Sequence, residues 1–315
     1  MTYYGMDLNN NRHRKKRAHY SSVFFLGIAF LAFIVISLSV SLTIRACSCH
    51  QEFTQEDNPR KIELDFESED IGSVRGAHTN VSYEMPDSVA RICFPRPLEG
   101  VSEQIIRKTS YIVSYNKNTK IPNWVAWHLT APHTDGPISR MSNFYEEESV
   151  ATPRATLEDY RGSGWSRGHM CPAGDNKWDE TAMYESFSLV NVCPQNANLN
   201  SGLWNSIEID CRRWARQFGD VYIVCGPLLY NKEHETIGAN KVVVPEAFFK
   251  VVLCLQGRPK AIGFVVKNNA GTKKKDQYVN TVDEVERITG YDFFPALPDD
   301  IENEVESHAD IDDWR

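Results

Sequence analysis

Two short runs in this 315-residue chain carry side chains suited to a single reaction. The first is Ser166-Arg167-Gly168-His169, a histidine set after a glycine and beside a guanidinium. The second runs through Asn191, Pro194-Gln195 and Asn200 to Glu208. A neutral imidazole accepts a proton near neutral pH. Carboxamide and carboxylate oxygens are hard ligands for Mg2+, an ion that keeps several waters and leans on substrate phosphate. A base, a hard-ligand site and arginines together point to metal-assisted attack of water on a phosphodiester. Each residue also has a plainer reading: a histidine can be a hydrogen-bonded part of the core, and an asparagine just inside a helix is commonly a cap.

The elements that must position these groups are partly legible. Tyr111–Tyr115 and Trp124–Leu129 read as paired strands, with Lys117-Asn118 in the turn between them. Val221–Cys225, Val242–Val244, Phe248–Leu255 and Ala261–Val266 also read as strands. Asn198–Phe218 reads as one helix, because Leu199, Leu203, Ile207, Cys211 and Trp214 recur at spacings of three and four. Asn200 and Glu208 then lie about 12 Å apart along one helix axis, too far to share an ion directly. Val282–Thr289 reads as a further helix stopped by Gly290, and no internal repeat is present.

At these residues the chain resembles the DNA/RNA non-specific endonuclease family of the ββα-metal (His-Me finger) superfamily, and within it the endonuclease G-like proteins. That family's signature is D-R-G-H, then N-x-x-P-Q-x-x-x-[LF]-N, then W-x-x-x-E. Arg167-Gly168-His169 matches the first part after its leading residue; Asn191, Pro194, Gln195, Leu199 and Asn200 match the second, and Trp204 and Glu208 the third. The likeness runs from Arg91 to Pro298. It implies an α+β ββα-metal nuclease fold, with a central antiparallel sheet flanked by helices. It implies His169 as general base and Asn200 as direct ligand of Mg2+ (or Mn2+). Glu208 would hold waters around the cation. Asn191 would contact the scissile phosphate or orient His169. Arg140 matches the upstream arginine that stabilises charge on phosphate, and Arg167 positions backbone or contacts phosphate through its planar fork. The implied activity is sugar-non-specific hydrolysis of DNA and RNA, leaving 5′-phosphate and 3′-hydroxyl ends. Contacts to the nucleic-acid backbone without base readout would suffice. The resemblance also allows a homodimer.

The departure is Ser166, where the family has Asp. Serine keeps hydrogen bonds but supplies no charge; Asp175 is the acid nearby that could compensate. This supports an alternative, a weak or inactive nuclease-like domain that binds nucleic acid or another polyanion. A third reading makes the chain a structural surface protein. His128, His133 and His234 read as hydrogen-bonded structural histidines. Of eight cysteines, Cys171 and Cys193 each lie two residues from a proposed site residue, but the spacings are not those of a C-x-x-C zinc site. Structural cysteines, free or paired, are the expectation.

Charge narrows the organisation more than the function. The net charge is −8, unexpected for a protein that grips nucleic acid. It is unevenly spread: residues 1–50 carry +5, 51–90 carry −7, 91–298 carry +1 and 299–315 carry −7. The acidity thus sits outside the candidate catalytic region. Residues 1–20 form a basic N-terminus, and Ser22–Ile44 is an uncharged run long enough to cross a bilayer. Basic residues precede it, so the expectation is a signal anchor over 21–45 with a cytoplasmic N-terminus and an exported nuclease domain, periplasmic or extracellular. Residues 46–90 read as an acidic stem, 91–298 as the nuclease domain and 299–315 as an acidic, partly disordered tail.

Overall fold

The computed structural model describes residues 91–271 and 273–315. The expected basic N-terminus, anchor and stem lie outside the described residues. Among the described residues no helix is long and apolar enough to cross a membrane.

One sheet of seven strands organises the domain. It comprises β1 (Gln104–Arg107), β2 (Ile112–Asn116), β3 (Ile121–Thr130), β6 (Asp220–Leu228), β9 (Ala247–Cys254), β10 (Lys260–Lys267) and β11 (Val279–Asn280), hydrogen-bonded in that order. Every pairing is antiparallel. The expected hairpin is β2 with β3, and the other expected strands are β6, β9, β10 and the short β8 (Val242–Val243), which pairs with β7 (Thr236–Ile237). β9 is buried along its whole length, which requires cover on both faces of the sheet.

Side chains alternate across a strand, and β10 shows what provides that cover. Phe264 stacks on Trp214 of helix α3 (Asn205–Phe218) at 6.4 Å. Its neighbour Gly263 faces the other way: a Cβ there would stand 2.5 Å from Val285 of α4 (Val282–Thr289). The two helices therefore lie on opposite faces of the sheet. Gly290 ends α4 with φ +79°, the left-handed cap expected for it.

The stretch read as one helix from Asn198 is built from three pieces. A single α turn, Ala197–Leu199, leads into a π segment, Asn200–Trp204, and then into α3. The buried face is Leu199, Trp204, Ile207, Cys211 and Trp214, with Leu203 only half-buried. The five-residue step from 199 to 204 is the wide π turn. It exchanges Leu203 for the larger Trp204 at the core position, where the indole meets Phe248 at 5.6 Å.

The acidic tail also departs from expectation. Residues Asp299–Ser307 form helix α5, and Ile311–Trp314 form a short 3-10 turn. Trp314 is 1% exposed, with its ring 4.5 Å from Trp214 and 6.0 Å from Phe218. One buried indole outweighs the solvation of the surrounding acids. Trp314→Ala should cost about 3–5 kcal/mol, the range for emptying a large aromatic site. Urea unfolding is the check; a loss below about 1 kcal/mol would mean the tail is dispensable.

Candidate active site

The first catalytic run forms β4 (Ser166–His169), which pairs antiparallel with β5 (Val192–Gln195) in a two-stranded sheet. Neither strand was read from the sequence, because S-R-G-H and V-C-P-Q lack the apolar alternation that marks one. His169 stands opposite Val192, Gly168 opposite Cys193 and Ser166 opposite Gln195. A side chain at 168 would run into the buried Gln195 amide, with the two Cβ atoms 2.6 Å apart. Glycine therefore lets the strands approach.

β5 leads into the helical run at Asn196. Its side-chain oxygen accepts hydrogen bonds from the backbone N–H groups of Asn198 (3.0 Å) and Leu199 (3.2 Å). Asn268 holds this turn from the side: its oxygen accepts from Asn196 N at 2.8 Å, and its amide donates to Pro194 O at 3.1 Å. Asn196 is the cap, so Asn200 does not fill that role. Asn200 is half-buried at the start of the π segment. Among the described residues its carboxamide has no hydrogen-bond partner.

The imidazole of His169 is 6% exposed and packs against both Phe144 and Phe187, each ring centroid 4.9 Å away, the two phenyl rings themselves meeting at 5.0 Å. Its Nε2 is buried without a partner. The same two rings support the arginines. The Arg167 guanidinium carbon lies 4.6 Å above Phe144, and that of Arg140 lies 5.4 Å above Phe187. Both arginines are exposed, and among the described residues neither pairs with a carboxylate. Burial pushes the imidazole down to about 3, and Arg140 and Arg167 push the same way. His169 is therefore neutral at pH 7, with an unsatisfied ring nitrogen under the influence of two arginines that have no carboxylate partner among the described residues.

Asn191 corrects an expectation. It is fully buried and its amide is wholly engaged. It donates to Cys171 O and Ser186 O, both at 2.8 Å, and accepts from Cys171 N at 2.9 Å. No donor is left for a phosphate. Of its two expected roles only orientation fits: Asn191 pins the chain just after His169.

Glu208 lies on α3, half-buried. Burial raises its carboxyl to about 7; Lys250, Arg212 and Arg140 pull it down, while Asp175 adds to the rise. Arg140 is thus the electrostatic neighbour of both His169 and Glu208. Asp175 does not stand in for the acid missing at 166. It is buried and committed to Arg212 at 2.7 Å and the Trp127 indole at 3.1 Å.

Sequence reasoning passed over Lys250. It is wholly buried in the middle of β9, its ammonium 4.9 Å from the Trp127 ring centre and 4.6 Å from that of Trp204. The signal was a lone lysine in A-F-F-K-V-V-L-C. Phe144 and Phe187 were also missed, since lone aromatics carry no such mark. The three histidines read as structural have partners: His128 with Asp220 and Tyr222, His133 stacked on Trp178, His234 with Glu246. The six described cysteines are free and buried.

With fold and site in view, comparison with known proteins decides the family. The family model described as DNA/RNA non-specific endonuclease matches residues 92–300. The chain belongs to that family. "Nuclease EXOG, mitochondrial" of Mus musculus is 38% identical over 222 residues, 65% of this chain and 60% of that protein. Nuclease C1 of Cunninghamella echinulata var. echinulata is 34% identical, over 67% of this chain and 90% of its own length. A chain of the solved EndoG/EndoGI complex superimposes with a TM-score of 0.62 at 29% identity, covering 68% of this chain and 94% of the other. The chain spans 60–66% of the length of its EXOG relatives from mouse, frog, human and zebrafish.

The closeness of β4 to β5 makes a direct prediction for this family member. Gly168→Ala should displace Gln195 and cost about 1–3 kcal/mol, the usual penalty for overfilling a packed site. Thermal unfolding measures it; an unchanged Tm would show that the approach at 168 is not needed.

Proposed function

We propose that residues 91–298 form a Mg2+-dependent, sugar-non-specific endonuclease that hydrolyses DNA and RNA. The observation that supports this most is the buried, unpartnered Nε2 of His169, flanked by two guanidiniums without counter-ions. A phosphodiester supplies the negative charge those arginines lack. Its arrival offsets their push on the imidazole and raises its basicity as the reaction begins. His169 then takes a proton from the attacking water. The water oxygen bonds to phosphorus, the bond from phosphorus to the 3′ oxygen breaks with its electron pair on oxygen, that oxygen takes a proton from solvent, and the ends are 5′-phosphate and 3′-hydroxyl.

The donor set fits Mg2+. Asn200 offers a free carboxamide oxygen, and Glu208 a half-buried carboxylate further along the same helical run. One neutral ligand with a carboxylate nearby leaves room for the waters Mg2+ retains. Mg2+, when bound, neutralises charge on the phosphate and on the departing oxygen. Glu208 orders the water around Asn200, and its carboxyl is charged once a cation is near. Arg140 and Arg167 hold the phosphate oxygens, and each guanidinium is already oriented by the ring beneath it.

The polyanion-binding alternative rests on Ser166, which has no charge to lend. Digestion of plasmid and of RNA with Mg2+, and again with chelator, separates the two. The enzyme reading expects cleavage of both substrates, lost with chelator and lowered at least about 100-fold in His169→Ala. Salt-dependent binding with no cleavage by wild type would favour the binding module.

A further inference from the structure

Helix α4, on the sheet face away from α3, packs against α5, and both touch β10. Between them three carboxylates converge. Asp283 and Glu286 lie three residues apart on α4, so they share one helix face, and Glu306 reaches them from the last turn of α5. One oxygen from each lies within 4.8 Å of the other two.

Two further observations point to a missing partner. Glu306 is 8% exposed, and its Oε1 is buried with no hydrogen bond. Glu286 is held in place, its Oε1 accepting from Phe293 N at 2.7 Å. The nearby bases are engaged elsewhere: Arg96 with Asp292 at 2.8 Å, Arg287 with Glu284 at 2.6 Å, Arg258 with Glu304 at 3.2 Å. Among the described residues no Lys or Arg pairs with Asp283, Glu286 or Glu306. Burial and the surrounding acids, Glu286, Glu302, Asp283 and Asp292, drive Glu306 up to about 9.

We propose that Asp283, Glu286 and Glu306 form a Ca2+ site that clamps α4 to α5, separate from the reaction site. Ca2+ holds carboxylate oxygens at about 2.3–2.6 Å, so two ligands across the ion span up to about 5 Å. The observed spacing falls within that span. Mg2+ keeps most of its water and takes only one or two carboxylates, which suits three converging acids less well. Asp283 is exposed and Glu306 buried, so the ion enters from solvent and completes its shell with water.

The test uses the full chain in mild detergent, with CaCl2 as the probe, followed by calorimetry and thermal unfolding. An Asn200→Ala variant removes the candidate Mg2+ ligand, so that Ca2+ bound in the reaction site is not mistaken for this one. Saturating Ca2+ should raise Tm by about 5 °C in wild type and in Asn200→Ala alike. The heat and the Tm shift should vanish in Asp283→Asn/Glu286→Gln. The proposal is overturned by a wild-type Tm indifferent to Ca2+, or by a shift that survives the double variant. Glu306→Gln covers the remaining case. A Ca2+-indifferent wild type that is less stable than this variant would mean that Glu306 is simply a buried neutral acid.

Discussion

One buried ammonium ties the sheet to the helical run that carries the candidate site. Lys250 rises from the middle of β9 with no exposure and sits against the indole faces of Trp127 on β3 and Trp204 in the π segment. A cation against aromatic faces away from water is stabilised by about 2 kcal/mol. That does not by itself cover the cost of burying a charge. Burial pushes Lys250 toward neutrality, while Cys225, Cys211, Glu208 and Asp175 push the other way. Burial drives both of these thiols upward and leaves them uncharged. The carboxyl groups that act on Lys250 electrostatically are Glu208 and Asp175, and its Nζ is buried without a hydrogen bond among the described residues. Asp175 in turn holds Arg212, and Arg212 and Glu208 both lie on α3.

This constraint explains the π turn. Trp204 must face Lys250 and Phe248, while Ile207, Cys211 and Trp214 must keep their places below. On a regular α-helix 199 and 204 would stand about 140° apart around the axis, at opposite edges of the buried stripe. One wide turn resolves the conflict, and Asn200 is its first residue. The irregular backbone and the free carboxamide arise from the same packing demand. Phe144 and Phe187 do a parallel job, setting His169 and two arginines with one pair of rings.

What the sequence disclosed follows from which forces leave a periodic trace. The long strands did, because β6, β9 and β10 are apolar runs bounded by turns. β4 and β5 did not, since S-R-G-H and V-C-P-Q carry no apolar alternation and their closeness depends on one glycine. The helix was legible, but its π turn was not, because a 3.6-residue period presumes Leu203 rather than Trp204 as the buried residue. In the tail, composition hid the one indole that fixes it. His169, Asn200 and Glu208 stood out by resemblance; their spacing alone left a core histidine and a helix cap open. Asn191 stood out with two roles open, and only its three bonds to backbone atoms reveal that it has no donor to spare for a phosphate.

The central claim is that His169 and Asn200 serve one phosphate from opposite sides of a single cleft. A crystal structure of His169→Ala with a short duplex and Mn2+ tests this most directly, because the anomalous signal marks the cation. The account predicts a peak beside the Asn200 oxygen, with one backbone phosphate between it and residue 169 and both arginines turned toward that phosphate. Mn2+ bound away from Asn200, or a duplex lying on another face of the domain, would contradict it.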